Sequence, residues 1–154
     1  LDCAEQLPHM KTIVGVLMHA VDETIYVQRP AGKILAPNPE ILAAAKERGV
    51  VFYQGVHSLG GSVASAVQRE MGGMPMVEII AQTYKTISTG TKVAVESILM
   101  AADAGHLDMQ QEVVSLGGWK GGADTAIVAR PAYAHSYLDF RIREFIALPR
   151  QGDS

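Results

Sequence analysis

Apolar positions along this chain alternate between two periods, and the changes of period mark its elements. Thr12 to His19, "TIVGVLMH", is nearly all apolar and rich in β-branched residues. That pattern predicts a strand buried on both faces, as in a parallel sheet. Ala20 to Pro37 has no sustained period and predicts a long irregular connection with a short extended piece at Ile25 to Val27. Asn38, Pro39 and Glu40 then open a helix as cap, first position and dipole partner, and Gly49 closes it. Val50 to Gln54 predicts the next strand. Leu59, Val63, Val67 and Met71 recur four apart, which predicts a second helix capped by Ser58, with its apolar residues on one face. Gly72 and Gly73 end it. Pro75 starts a third helix with Val77, Ile80, Ala81 and Tyr84 inward. Gly90 reads as a break. Lys92 to Ala104 predicts a fourth helix with Val95, Ile98, Leu99 and Ala102 as its buried stripe and Gly105 as its stop. Three strands follow, at Glu112 to Leu116, Thr125 to Ala129 and Glu144 to Leu148, the last two joined by a connection holding Tyr133, His135 and Tyr137.

Strands that first alternate with helices and then follow one another predict a three-layer α/β/α sandwich. Its sheet would be mostly parallel, with one or more antiparallel strands near the C-terminus. At 154 residues the chain fits a single domain with a real core, and it shows no internal repeat or linker. "LDCAEQLP" spaces Leu1, Ala4 and Leu7 like a helix stopped by Pro8, and reads as the tail of a helix that begins upstream.

Composition narrows the function classes. A formal net charge of −3 and the lack of Lys/Arg runs argue against a nucleic-acid partner. The apolar runs are too short for a membrane span, and no segment has the order of a signal peptide. One cysteine, Cys3, excludes an internal disulfide, so the expected setting is reducing and cytoplasmic.

The most unusual local chemistry is "EVVSLGGWKGGADT", Glu112 to Thr125. Gly117, Gly118, Gly121 and Gly122 can turn backbone N–H groups toward one anion, and Lys120 adds charge. Ser115 and Thr125 offer hydroxyls, and in open α/β sheets the carboxyl ends of strands are where ligands bind. No Walker or GxGxxG pattern is present, and a connection that needs glycine for geometry alone gives the same sequence. Asp124 reads as a turn or capping residue. His19 and His57 each follow a predicted strand and so share a sheet edge, where imidazoles can bind a ligand or serve as acid and base; backbone-satisfied histidines are the alternative. Glu96 and Asp103 fall on one helix face. Glu96 is open to a ligand role or to a plain i,i+4 pair with Lys92, and Asp103 reads as solvent-facing. Arg29 and Lys33 can close a loop over an anion or merely solvate it. "MGGMPM" reads as core filling or a subunit contact, and Trp119 as a stacking or subunit-contact residue. No zinc ligand set is legible.

"KVAVESILMAADAGHL", "EVVSLGGWKGGADTAIVARPA" and "REFIALPR" together resemble a family of small stand-alone proteins related to the C-terminal α/β domain of pyruvate kinase. The resemblance runs from about Thr12 to Arg150 and is most specific between Lys92 and Ala132. It implies the three-layer sandwich, association with flavin mononucleotide (FMN), and no pyruvate kinase activity, because that chemistry belongs to a separate barrel domain. His19 and His57 match positions where the family tends to have His. Trp119 and Lys120 depart from it, since small or polar residues and an Arg are usual there. The family also places a strand and a phosphate-gripping turn upstream, before Leu1. The resulting expectation is a homo-oligomer that binds a phosphorylated ligand, FMN, through Ser115, Gly117, Gly118, Trp119, Lys120, Gly121, Thr125, His19, His57 and Glu96. A flavin redox step is the natural chemistry if it is an enzyme. A regulatory module sensing a sugar phosphate or nucleotide, and a structural oligomer without ligand, are the alternatives.

Overall fold

The computed structural model describes residues 12–17, 39–60, 62–118 and 122–150. The long connection expected at Ala20 to Pro37, with Arg29 and Lys33, lies outside them, as does the helix tail at Leu1 to Leu7. The fold is mixed α/β and divides into two compact units between Gly55 and Val56.

In the first unit, β1 (Val14–Leu17) pairs in parallel with β2 (Val51–Gln54), in the register Val14 opposite Val51 and Leu17 opposite Gln54. A parallel pair requires a crossover, and α1 (Pro39–Glu47) lies on that connection. Asn38, the expected cap, lies outside the described residues, and the other expected signals hold. Pro39 is the first helical residue, Glu40 sits in the first turn, and Gly49 takes φ +82°, a conformation that favours glycine. The chain then turns tightly, with the Val50 N–H donating to Ala45 O at 3.0 Å. Val14 to Val16 are half-buried, where a strand covered on both faces was expected.

The second unit holds α2 (Val63–Met71), α3 (Met76–Lys85), α4 (Thr89–Asp103) and a three-stranded sheet, ordered β3 (Val113–Gly117), β4 (Thr125–Arg130), β5 (Arg141–Ala147). Both pairings are antiparallel, as expected for the C-terminal strands. A 3-10 helix, Ala134–Asp139, fills the connection from β4 to β5. α4 packs on β3 and β4 on one side and on α3 elsewhere. Eleven of its fifteen residues are buried, so it is covered nearly all round rather than along one stripe. Its expected stripe, Val95, Ile98, Leu99 and Ala102, is buried, and joins Leu59, Ala81, Ala94, Ile127, Ala129, Ala132 and Phe140 in the core.

Three expectations change. Gly90 does not break the chain: α4 begins at Thr89 and runs through it, because Ser88 supplies the cap by accepting from the Thr91 N–H at 2.8 Å. α2 begins at Val63 rather than near Ser58, and its apolar residues face outward. Leu59 is in the core, whereas Val63, Val67 and Met71 are exposed and no α2 residue is buried. β5 begins three residues earlier than expected, at Arg141, and shifts register twice against β4. Such irregularities blur the strand period from which its start was read.

Candidate functional site: an ionic cluster behind helix α4

Lys92 and Glu96 are the only charged residues of α4 before Asp103, in a run otherwise made of small, apolar and hydroxyl side chains. A helix covered on all sides must bury such a pair. Glu96 is 0% exposed. Its carboxylate accepts from three donors: the Lys92 ammonium in a close contact, His57 Nδ1 at 2.9 Å, and the Leu59 backbone N–H at 2.9 Å. Leu59 anchors the segment after β2 by placing its side chain in the core, and this carries His57 onto the helix. Burial alone would raise the Glu96 carboxyl, but the hydrogen bond from His57 and the Lys92 ammonium outweigh it and hold the group below the ordinary carboxylate range.

The partners of Glu96 keep access to solvent. The Lys92 and His57 side chains are 11% and 25% exposed. With the His57 Nδ1–H donating to Glu96, Nδ1 has no lone pair for Lys92, so their 3.5 Å approach is proximity and not a second bond. Nε2, on the far side of the ring, then carries the lone pair. One Lys92 N–H meets Glu96, leaving two for other acceptors.

A second cluster sits at the start of the same helix. The Thr125 hydroxyl donates to Asp124 Oδ1 at 2.9 Å. Ser88 must therefore donate to Thr125 Oγ1 across their 2.9 Å contact, and Thr91 to Ser88 Oγ at 2.8 Å. The three hydroxyls form a directed chain ending on Asp124, and Ser88, Thr91 and Thr125 are all buried. Thr125→Val should leave the Ser88 hydroxyl without its acceptor and cost about 1–3 kcal/mol. Thermal or urea unfolding of the variant measures this, and an unchanged midpoint would show the chain to be energetically idle.

The structure therefore gives several expected ligand residues packing roles. The Ser115 hydroxyl donates to Ala94 O at 2.9 Å, and the Thr125 proton goes to Asp124, so neither is free to donate to a ligand. Gly117 is buried against α4, where a Cβ would strike Gly90 O and lie 2.7 Å from Ala94 N. The positive-φ glycines among the described residues are Gly49, Gly72, Gly73 and Gly105; Gly117 and Gly118 serve close approach instead, and a Cβ on Gly122 would meet nothing within 4 Å. A Cβ on Gly118 would come within 2.8 Å of Ala123 Cα. The Asp124 N–H donates to Gly117 O at 3.0 Å and closes the base of the loop. β3, which leads into the glycine loop, is an edge strand of its three-stranded sheet. Asp103, expected in solvent, is exposed and also accepts from the Ala134 N–H at 3.0 Å. His19, Trp119, Lys120 and Gly121 lie outside the described residues.

Of the expected set, His57 and Glu96 come together. They stand apart from the glycine loop for a geometric reason. Gly90 and Ala94 face β3, whereas Lys92 and Glu96 lie two residues further on, about 200° round the helix. The residue missed in the sequence is Lys92, read there only as half of a surface-type pair. The signal was its setting: a lone Lys–Glu pair inside "KVAVESILMAA" belongs to a buried helix. Among the described residues, no group of three or more His, Cys, Asp or Glu is placed to hold a metal ion, and no helix is long and apolar enough to cross a membrane. No protein-family model matches the chain.

Proposed function

We propose that this chain binds a small phosphorylated ligand, with FMN as the candidate, and that Lys92 meets its anionic group with the His57 ring beside it. One observation carries the reading. A fully buried carboxylate with three donors holds an ammonium and an imidazole from behind, while both retain solvent access. An ammonium fixed this way has lost its rotational freedom before a ligand arrives, which lowers the ordering cost of binding. Two Lys92 N–H groups that meet no acceptor among the described residues suit a phosphate oxygen. The three-layer, mostly parallel sandwich, the cytoplasmic setting and a flavin redox step belong to the same proposal through the resemblance; pyruvate kinase activity does not. A sensor of a sugar phosphate would use the same residues.

Titration with FMN, followed by quenching of flavin fluorescence, tests the reading, with thermal stability in inorganic phosphate as a second measure. A ligand at a hundredfold excess over Kd should add about 2.7 kcal/mol of stability. Lys92→Gln keeps a donor for Glu96 but removes the charge, and should weaken binding about tenfold or more, since hydrogen bonds to charged groups are worth about 1.5–3 kcal/mol. Neither flavin quenching nor stabilisation by phosphate would end the proposal.

A second reading, an oligomer-forming protein, rests on a separate observation. Val63, Val67 and Met71 on α2, Met74 in the turn, and Met76 and Ile79 on α3 are all exposed. Apolar groups gathered in this way mark interaction surfaces more often than plain solvent faces.

A further inference from the structure

We infer that His57, Glu96 and Lys92 form a proton-transfer site for a small anionic substrate, in which His57 Nε2 is the proton acceptor. The inference rests on the anion-binding reading above for its substrate class, and on geometry alone for its chemistry. An imidazole serves as a base only through a nitrogen whose lone pair faces the substrate, and the hydrogen bond at the other nitrogen decides which one that is. Here the Nδ1–H is committed to a carboxylate at 2.9 Å that is itself fixed by the Leu59 N–H at 2.9 Å and by Lys92. Glu96 is too buried to touch a substrate, so it is a positioning residue: it sets the tautomer, fixes the ring plane and offsets the charge of an imidazolium. The same logic makes an acid–base pair of His and carboxylate in well-known hydrolases. His57 is exposed enough to be reached, and the Lys92 ammonium, itself partly exposed, stands 3.5 Å from its Nδ1.

The step balances without a further reactant. Lys92 holds a phosphate or carboxylate group of the substrate. An O–H bond, or a C–H bond made acidic by a neighbouring carbonyl, breaks. Its proton forms a new N–H bond at Nε2, and the electron pair stays on the substrate. The imidazolium then carries one positive charge opposite the Glu96 carboxylate, and the reverse transfer returns the proton. Substrates of this class are small phosphate monoesters or carboxylates bearing a hydroxyl or an activated carbon.

Two measurements on the whole chain test this. Nitrogen-15 NMR at about pH 8, where a free imidazole is neutral, should show His57 protonated at Nδ1 and bare at Nε2. Labelling by diethyl pyrocarbonate, read by mass spectrometry, should modify His57 faster than the exposed His135 despite its lower exposure. In Glu96→Gln, with fold confirmed by circular dichroism, the acceptor stays but its charge is gone. Labelling of His57 should then slow about tenfold, since charge-assisted hydrogen bonds are roughly twice as strong as neutral ones. A proton on Nε2 in the spectrum, or labelling of His57 no faster than that of His135, overturns the inference. Inorganic phosphate should protect His57. If it does not, while the tautomer and rates are as expected, the anionic substrate class and the ligand reading fall and the proton acceptor stands.

Discussion

Glu96→Ala should destabilise the protein by about 3–5 kcal/mol, the range found when one member of a buried ion pair is removed. Three donors lose their acceptor at once. The Lys92 ammonium becomes an uncompensated, mostly buried charge, and the buried Leu59 N–H becomes an orphan. Urea unfolding followed by circular dichroism measures the loss, and a cost under about 1 kcal/mol would mean that water replaces the carboxylate without penalty. The same group predicts an acid response. Its folded-state value lies below the ordinary 4.5, so its contribution is complete above the unfolded value and is lost as pH falls through the lower folded one. The stability of the native chain should therefore drop below about pH 4.5 by more than that of Glu96→Gln, which has no proton to take up. Parallel pH curves for the two would show that Glu96 does not drive the loss.

Gly117→Ala should be the next most damaging change, at or above the upper end of the roughly 1–3 kcal/mol typical of overpacking. The atoms a methyl would meet are backbone, Gly90 O and Ala94 N, in the first turns of a helix that is mostly buried. Backbone cannot change rotamer, so either α4 leaves the sheet or β3 loses its end. Gly90→Ala is a useful comparison. It gains about 1 kcal/mol of helix propensity and meets the Thr125 hydroxyl and Asp124 carboxylate, which can turn at the expense of the hydroxyl chain, and Thr125 Cβ at 2.6 Å, which cannot. A Gly117→Ala protein as stable as the native one, by thermal unfolding, would show that α4 and β3 move apart there without cost.

Legibility in the sequence followed the strength of local signals. α1 was readable from Pro39, Glu40 and Gly49 because first-turn and closing residues act within a few positions. The antiparallel order of β3 to β5 was readable because no α-helix separates them. The inward face of α4 was readable from Val95, Ile98 and Leu99. Where a residue's role depends on a distant partner, the sequence misled. Gly90 looks like a breaker until the Thr125 and Asp124 side chains are seen where a Cβ would go. The four-residue spacing of Leu59, Val63, Val67 and Met71 continues through a change of conformation, so one residue of the series is core and three are surface. Ser115 and Thr125 looked like ligand donors because nothing local reveals that Ala94 O and Asp124 already take their protons. For the site, the pairing of His57 with Glu96 spans 39 positions. The sequence suggested each residue separately, but not that one orients the other, nor that Lys92 completes the group.

The contrast between α4 and α2 also sets where the second unit yields first. α4 has eleven buried residues and ties together the sheet, α3 and the His57 segment, so its amides open only with the whole unit. α2 has none buried and is held mainly by its own backbone ladder, which nine residues alone sustain weakly. Fluctuations of this unit are thus graded from the outside in. Its surface helix can melt and re-form many times while the ionic cluster on α4 keeps its geometry, so motion that would admit a partner at α2 need not disturb chemistry at His57.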